Sequence, residues 1–246
     1  LFSMSTIWKI CGVNKYFNKY LLNHLPDTIS LRVKKDIKII YKSVGLLHGK
    51  KVKLDLYRSG VNSADLTHLS GLPVVSLNLS DCPRITITGL AHLSGLPLLQ
   101  ELDLSHCFMI RDAGLAHLSG LPVRELDLSH CARITDAGLA HLSELPLREL
   151  GLAYTCITDA GLFHLSELPL RELGLAYTCI TDAGLFHLSG FSLRELDITN
   201  TRITDAGLAH LRGLPLRELG LSKCARITDA GLDHLSRLPL RELDLA

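Results

Sequence analysis

One unit is written over and over along this chain. Val123 to Pro146, VRELDLSHCARITDAGLAHLSELP, returns almost letter for letter as Leu216 to Pro239, LRELGLSKCARITDAGLDHLSRLP. The leucine that closes the Asp-Ala-Gly-Leu element, or its counterpart, falls at Leu66, Leu90, Leu115, Leu139, Leu162, Leu185, Leu208 and Leu232, in steps of 24, 25, 24, 23, 23, 23 and 24 residues. A short period of this kind leaves no room for a self-sufficient core in each copy, so neighbouring copies must stack and share one.

Each copy divides into two halves. In Arg124-Glu-Leu126-Asp-Leu128 apolar and polar residues alternate, which predicts a short strand with one buried face. In Asp136-Ala-Gly-Leu139-Ala-His-Leu142 leucines recur three apart behind a Thr135/Asp136 capping signal, which predicts about two helical turns ended by Leu145-Pro146. The pattern extends upstream through Leu54 to Leu31, and predicts ten strands centred near 31, 54, 77, 102, 126, 150, 173, 196, 219 and 243. The expected product is an α/β horseshoe solenoid, with about ten short parallel strands on the concave face and helices on the convex face. It occupies residues 25–246 behind a helical segment at 1–24. Its first repeats are atypical and lysine-rich, and its last strand, from Leu240, reads as uncapped.

The unit Leu126-Asp-Leu128-Ser-His-Cys131-Ala-Arg-Ile134-Thr-Asp136-Ala-Gly-Leu139 resembles the cysteine-containing class of leucine-rich repeat, L-x-L-x-x-C-x-x-I-T-D-x-G-L, over about residues 50–246. In that class the repeats are frequently the substrate-binding part of F-box proteins. The shorter Thr155-Cys-Ile157-Thr-Asp159 units resemble repeats of bacterial proteins in the same superfamily. Ile7, Ile10, Cys11, Phe17 and Leu21 fall at helical spacing, and Val13-Asn-Lys15-Tyr-Phe17 is similar to the final helix of an F-box. The resemblance implies a substrate receptor of a ubiquitin ligase, or an effector imitating one, that meets the ligase adaptor through its N-terminal segment. A leucine-rich-repeat scaffold with no ubiquitin link is the alternative.

Charge is uneven along the chain. Residues 1–53 hold ten lysines and one arginine against Asp27 and Asp36, a net of +9, and the remainder carries −8. Lys34, Lys35, Lys38 and Lys42 alternate with isoleucines as the solvated face of an amphipathic helix. No base-reading motif accompanies them, and a nucleic-acid partner is not expected. No apolar run reaches the roughly 18 residues of a membrane span, and no secretory signal is visible.

Six of the seven cysteines sit in the repeats. Cys82, Cys107, Cys131 and Cys224 share their position with Thr155, Thr178 and Thr201, as expected of a small buried side chain bonded to turning backbone. Stacked equivalents point the same way, which argues against disulfides, and no C-x-x-C pair suggests zinc. Buried thiols favour a reducing compartment, hence the cytoplasm, or the host cytosol for an effector. Eight histidines, His68 to His234, recur once per repeat as a surface ladder too widely spaced to share a metal. His106-Cys107 and His130-Cys131 are chain neighbours that project apart and make no nucleophile–base pair. The expectation is therefore a protein that is not an enzyme, with no cofactor, metal or small-molecule substrate.

The residues between the strand leucines form the candidate binding face: Glu101, Glu125, Glu149, Glu172 and Glu195, with Asp103, Asp127 and Asp197 beside them. Two readings are open. Either a column of arginines, from Arg124 to Arg241, offsets the glutamates, or the face is a groove for a basic or extended protein partner. Tyr154 and Tyr177 at the lip are the expected anchors, and Phe163 and Phe186 mark the same two repeats.

Overall fold

A computed structural model describes residues 27–33 and 49–245. The segment 1–24, Leu25-Pro26 and the amphipathic reading of Lys34 to Lys42 lie outside the described residues.

Ten strands form one parallel sheet in strict chain order: β1 (Thr28–Arg32), β2 (Lys51–Asp55), β3 (Val74–Asn78), β4 (Glu101–Asp103), β5 (Glu125–Asp127), β6 (Glu149–Gly151), β7 (Glu172–Gly174), β8 (Glu195–Asp197), β9 (Glu218–Gly220) and β10 (Glu242–Asp244). The central leucines sit directly opposite one another from Leu31↔Leu54 through Leu126↔Leu150 to Leu219↔Leu243. Each ten-strand centre expected from the repeat is therefore in place, and the leucine-rich-repeat solenoid with its open sheet is confirmed. From β2 onward each strand reaches the next only after a helical return over the outside, so its direction repeats and the sheet is parallel.

The leucines fuse into one core. Leu90, Leu115, Leu139, Leu162, Leu185 and Leu208 are completely buried, as are Leu104, Leu128, Leu152 and Leu175 from the strand exits. Burying a leucine contributes about 1.5–3 kcal/mol, and only the stack makes that burial available to any one repeat.

The helical half is tighter than its leucine spacing suggests. A four-residue α-turn at Asp136–Leu139 gives way to a 3₁₀ turn at Ala140–Leu142, and the pattern recurs at Asp112–Leu115 with Ala116–Leu118. The helix thus ends three residues before the expected Leu145. A 3₁₀ turn rises about 2.0 Å per residue against 1.5 Å for an α-helix, so it crosses the outer layer with fewer residues.

The Thr-Asp signal also has another use than the expected cap. Thr135 makes no side-chain cap bond. Its N–H donates to Asp112 Oδ1 of the preceding repeat at 2.8 Å, and its hydroxyl donates to Oδ2 at 2.7 Å. The same two-point clamp joins Thr158 to Asp136, Thr181 to Asp159, Thr204 to Asp182 and Thr228 to Asp205. Thr204 and Thr228 cap as well, accepting from Ala206 and Ala230. Glycine follows two residues after the aspartate because a Cβ on Gly161 would lie 2.5 Å from Asp136 Oδ1. At one junction the clamp is missing, since Ile87 replaces the aspartate and Arg111 the threonine.

Candidate partner-binding face

Strand pairing brings the glutamates into one file. Glu101 lies opposite Glu125, Glu125 opposite Glu149, Glu149 opposite Glu172, and Glu172 opposite Glu195, with Glu218 and Glu242 continuing the line. Successive strands stand about 4.8 Å apart, so each carboxylate between the ends of the file has like charges on both sides. Glu101, Glu125, Glu149, Glu172 and Glu195, together with Asp103, Asp127, Asp197, Gly151 and Gly174, line an open concave groove of about 460 Å³.

The expected offset by arginine does not occur. Among the described residues, none of the arginines from Arg124 to Arg241 pairs with a glutamate of the file; the ion pairs are Arg32–Asp55, Lys50–Asp27, Lys53–Glu101 and Arg58–Asp81. Neighbours along an extended chain point to opposite sides, so each arginine side chain leaves on the side away from the glutamate beside it. Arg171, Arg194, Arg217 and Arg241 instead line a separate groove with Pro215 and Pro239. Their main chain holds the sheet edge, as where Arg148 and Glu149 both donate to the Arg124 carbonyl at 2.7 and 3.0 Å.

The consequence is readable in the carboxyls. Burial against the sheet pushes Glu125, Glu149 and Glu195 above the ordinary glutamate value, and the charges of neighbouring glutamates add to it. Glu101 behaves oppositely. Burial would raise it too, but hydrogen bonds from Lys53 and Ser76 and the Lys53 charge outweigh that and hold it low.

The aspartates separate from the glutamates in role. Asp103 Oδ1 accepts the Ser105 N–H at 2.9 Å, Asp127 Oδ1 the Ser129 N–H at 2.8 Å, and Asp197 Oδ1 the Thr199 N–H at 2.9 Å. These are Asx turns that steer the chain out of the sheet. A Cβ on Gly151 would stand 2.6 Å from Asp127 Oδ1, whereas Gly174 faces open space with only the Gly151 Cα at 3.8 Å. The floor of the groove is therefore lowered over β6 and β7.

Immediately after this turn one residue per repeat takes a left-handed backbone. Arg58, Asp81, His106, His130, Tyr154, Tyr177, Asn200 and Lys223 have φ between 51° and 62°. Because this geometry repeats, their side chains stack. His106, His130, Tyr154 and Tyr177 form a continuous ring column with centroids 4.0, 4.2 and 4.1 Å apart and planes within 14°. Burial and the neighbouring His106 charge lower the His130 value, which keeps its imidazole neutral at neutral pH. Lys223 terminates the column, with Nζ 2.9 Å from the Tyr177 hydroxyl and 5.6 Å from its ring centroid.

Tyr154 and Tyr177 thus stand at the lip as expected, but in company that the sequence reading missed. His106 and His130 are rim residues, and reading down the position before the Cys/Thr column would have exposed the run His-His-Tyr-Tyr. Phe163 and Phe186 do not join them. They lie on the outer helices at Asp159–Phe163 and Asp182–His187, 62% and 60% exposed, edge-on to His187 and His210.

The remaining candidates are structural. Cys107 and Cys131 are buried, and burial pushes both thiols up to about 12, so neither offers a thiolate. Their Sγ atoms donate to Leu79 O and Leu104 O at 3.2 Å, across to the preceding repeat, whereas Thr155 and Thr178 hydroxyls donate within their own repeat to Leu152 O and Leu175 O at 2.6 Å. Cys156 and Cys179 are exposed and reduced. Among the described residues no helix is long and apolar enough to cross a membrane.

Residues 95–119, 122–143 and 191–211 match the family model of the leucine-rich repeat. With ten strands stacked in this one parallel sheet, the chain is a leucine-rich-repeat protein. No curated protein matches it in sequence. Among solved structures, an internalin (InlF) from Listeria monocytogenes is similar at 20% identity and a TM-score of 0.53, over 95% of this chain and 64% of that one. The yeast Rad7–Elc1 complex is similar at 18% identity and a TM-score of 0.50, over 98% and 75%. The TLR13–ssRNA13 complex matches at 15% identity and a TM-score of 0.47, over 92% and 45%. The chain thus spans less than two thirds of the internalin and of TLR13, and the likenesses concern the fold.

Proposed function

We propose that the chain is a protein-binding module that captures its partner on the concave face, and that it serves as the substrate-recognition part of an F-box-like ubiquitin-ligase receptor or of an effector imitating one. The observation that carries the binding reading is the glutamate file itself. Six carboxylates from Glu125 to Glu242 stand in register with no cation of their own within ion-pair distance among the described residues. Repulsion of this kind destabilises a free fold, and a partner that neutralises it recovers that energy on binding. The reading is a binding protein and not an enzyme; among the described residues, burial pushes the Cys107 and Cys131 thiols up, which makes them poor nucleophiles.

The ubiquitin-ligase part rests on the cysteine-bearing repeat signature and on Val13-Asn-Lys15-Tyr-Phe17, with the reducing cytoplasm, of the host for an effector, as the matching location. Affinity capture from a eukaryotic cell lysate, scored for the ligase adaptor, tests it. Recovery of the adaptor by the chain, lost with Phe17→Asp, is the expected result. Retention of other proteins without the adaptor would leave a scaffold with no ubiquitin link.

A further inference from the structure

Two lysines of this chain show what the concave face and its rim accept. Lys53 reaches from β2 past β3 and places Nζ 2.8 and 2.9 Å from the two carboxylate oxygens of Glu101 on β4. Lys223 reaches past Asn200 to the end of the ring column and bonds Tyr177. A primary ammonium therefore satisfies both the first carboxylate of the file and the last ring of the rim. Between these two points the described residues supply no further cation in an ion pair with the file, and Glu125, Glu149 and Glu195 remain crowded by like charge.

We infer that the groove over β5 to β8, rimmed by His130, Tyr154 and Tyr177, binds an extended lysine-rich segment of a partner protein, whose ammonium groups repeat the Lys53–Glu101 contact along the file. The inference rests on the protein-binding reading above and names the partner's chemistry.

Charge complementarity and geometry both favour this occupant. Same-side residues of an extended chain lie about 6.8 Å apart, so lysines four residues apart stand about 14 Å from each other, close to three strand spacings of about 4.8 Å. The flexible lysine stem absorbs the difference, and its methylenes can lie along the ring edges of the rim. The lowered floor at Gly151 and Gly174 admits the partner's backbone between Asp127 and Asp197.

The test is fluorescence anisotropy with the full chain and a labelled peptide alternating lysine and serine, beside the same peptide acetylated on every lysine. Binding should weaken at least about tenfold on acetylation, and equally with Glu149→Gln combined with Glu172→Gln, while Glu167→Gln in an outer loop leaves it unchanged. Retained secondary structure by circular dichroism separates these effects from unfolding. Equal binding of the acetylated peptide, or of the double variant, would overturn the inference. So would spermine binding as tightly as the peptide, which would assign the face to small polycations. Self-association that the double variant abolishes, seen by sedimentation without peptide, would assign the face to the basic N-terminal part of a second copy. Absent peptide binding with lysate capture that still depends on Glu149 and Glu172 would overturn the lysine assignment and leave the protein-binding reading standing. Capture indifferent to both residues would remove that reading as well.

Discussion

Tyr154 adopts a left-handed backbone, with φ of 57°, in a position that Asn200 occupies two repeats later. A non-glycine residue there costs on the order of 1 kcal/mol, and stacking between two rings of the column returns about 0.5–1.5 kcal/mol per contact. Tyr154 makes two such contacts, to His130 and Tyr177, so the stack offsets the backbone cost and exceeds it by at most about 2 kcal/mol. Tyr154→Gly should therefore lower thermal stability by no more than about 2 kcal/mol while weakening partner capture, which a melting curve and a capture assay on the same preparation will show. A large loss of stability would make the column part of the scaffold. Glu149→Gln should act in the other direction on stability, raising it by about 0.2–1 kcal/mol, the range appropriate to a charge largely screened by solvent. These residues also mark what was and was not legible. The glutamate file could be read from strand alternation alone, since period two fixes which face a residue takes. Its lack of partners follows from the same alternation, which sets Arg124 and Glu125 on opposite sides, although adjacency in the sequence hides it. His106 and His130 were hidden for a related reason: their neighbours Cys107 and Cys131 drew attention to a pair, while the contact runs between repeats.

At the scale of the element, the Asp–Thr clamp does for adjacent helices what the ladder of backbone bonds does for the strands. Asp136→Ala removes two acceptors from Thr158 and should cost about 1–3 kcal/mol, measured by urea titration. Gly161→Ala should cost a similar amount even though alanine favours helices, because its Cβ would enter the space of the Asp136 carboxylate. A stabilising Gly161→Ala would contradict the clamp. Thr-Asp before a leucine pair reads as a local cap, since capping preferences are stated for one helix at a time. A contact between residue i and the copy about 22 residues later carries the same letters and is seen only when repeats are stacked. The core was easier: leucine spacing predicts that Leu139→Ala should cost about 2–5 kcal/mol by cavity formation and His141→Ala little, and Leu139 is completely buried while His141 is exposed.

Across the whole molecule, two sets of carboxylates pull the pH dependence in opposite directions. Glu125, Glu149 and Glu195 have folded-state values above their unfolded ones, so the folded chain takes up protons first as pH falls. Their penalty is fully present above the raised values and disappears on acidification toward the ordinary carboxylate range. Asp205 is held low, first by the Thr228 hydroxyl and then by its N–H, and Glu101 is held low by Lys53 against its burial. Their contribution is present above the unfolded values and is lost as pH falls through the folded ones. Thermal stability should therefore rise on mild acidification from neutral pH before it falls in stronger acid, and partner binding should weaken over the range in which stability rises. A monotonic loss of stability from neutral pH downward would mean that the glutamate file is not strained. The measurement that bears most directly on the concave face is the melting temperature of Glu149→Gln/Glu172→Gln at neutral pH and low salt, taken beside capture of the lysate partner. An unneutralised binding face requires the melting temperature to rise, by about 1–3 °C, as capture falls. A lower melting temperature with capture intact would show instead that these carboxylates belong to the scaffold.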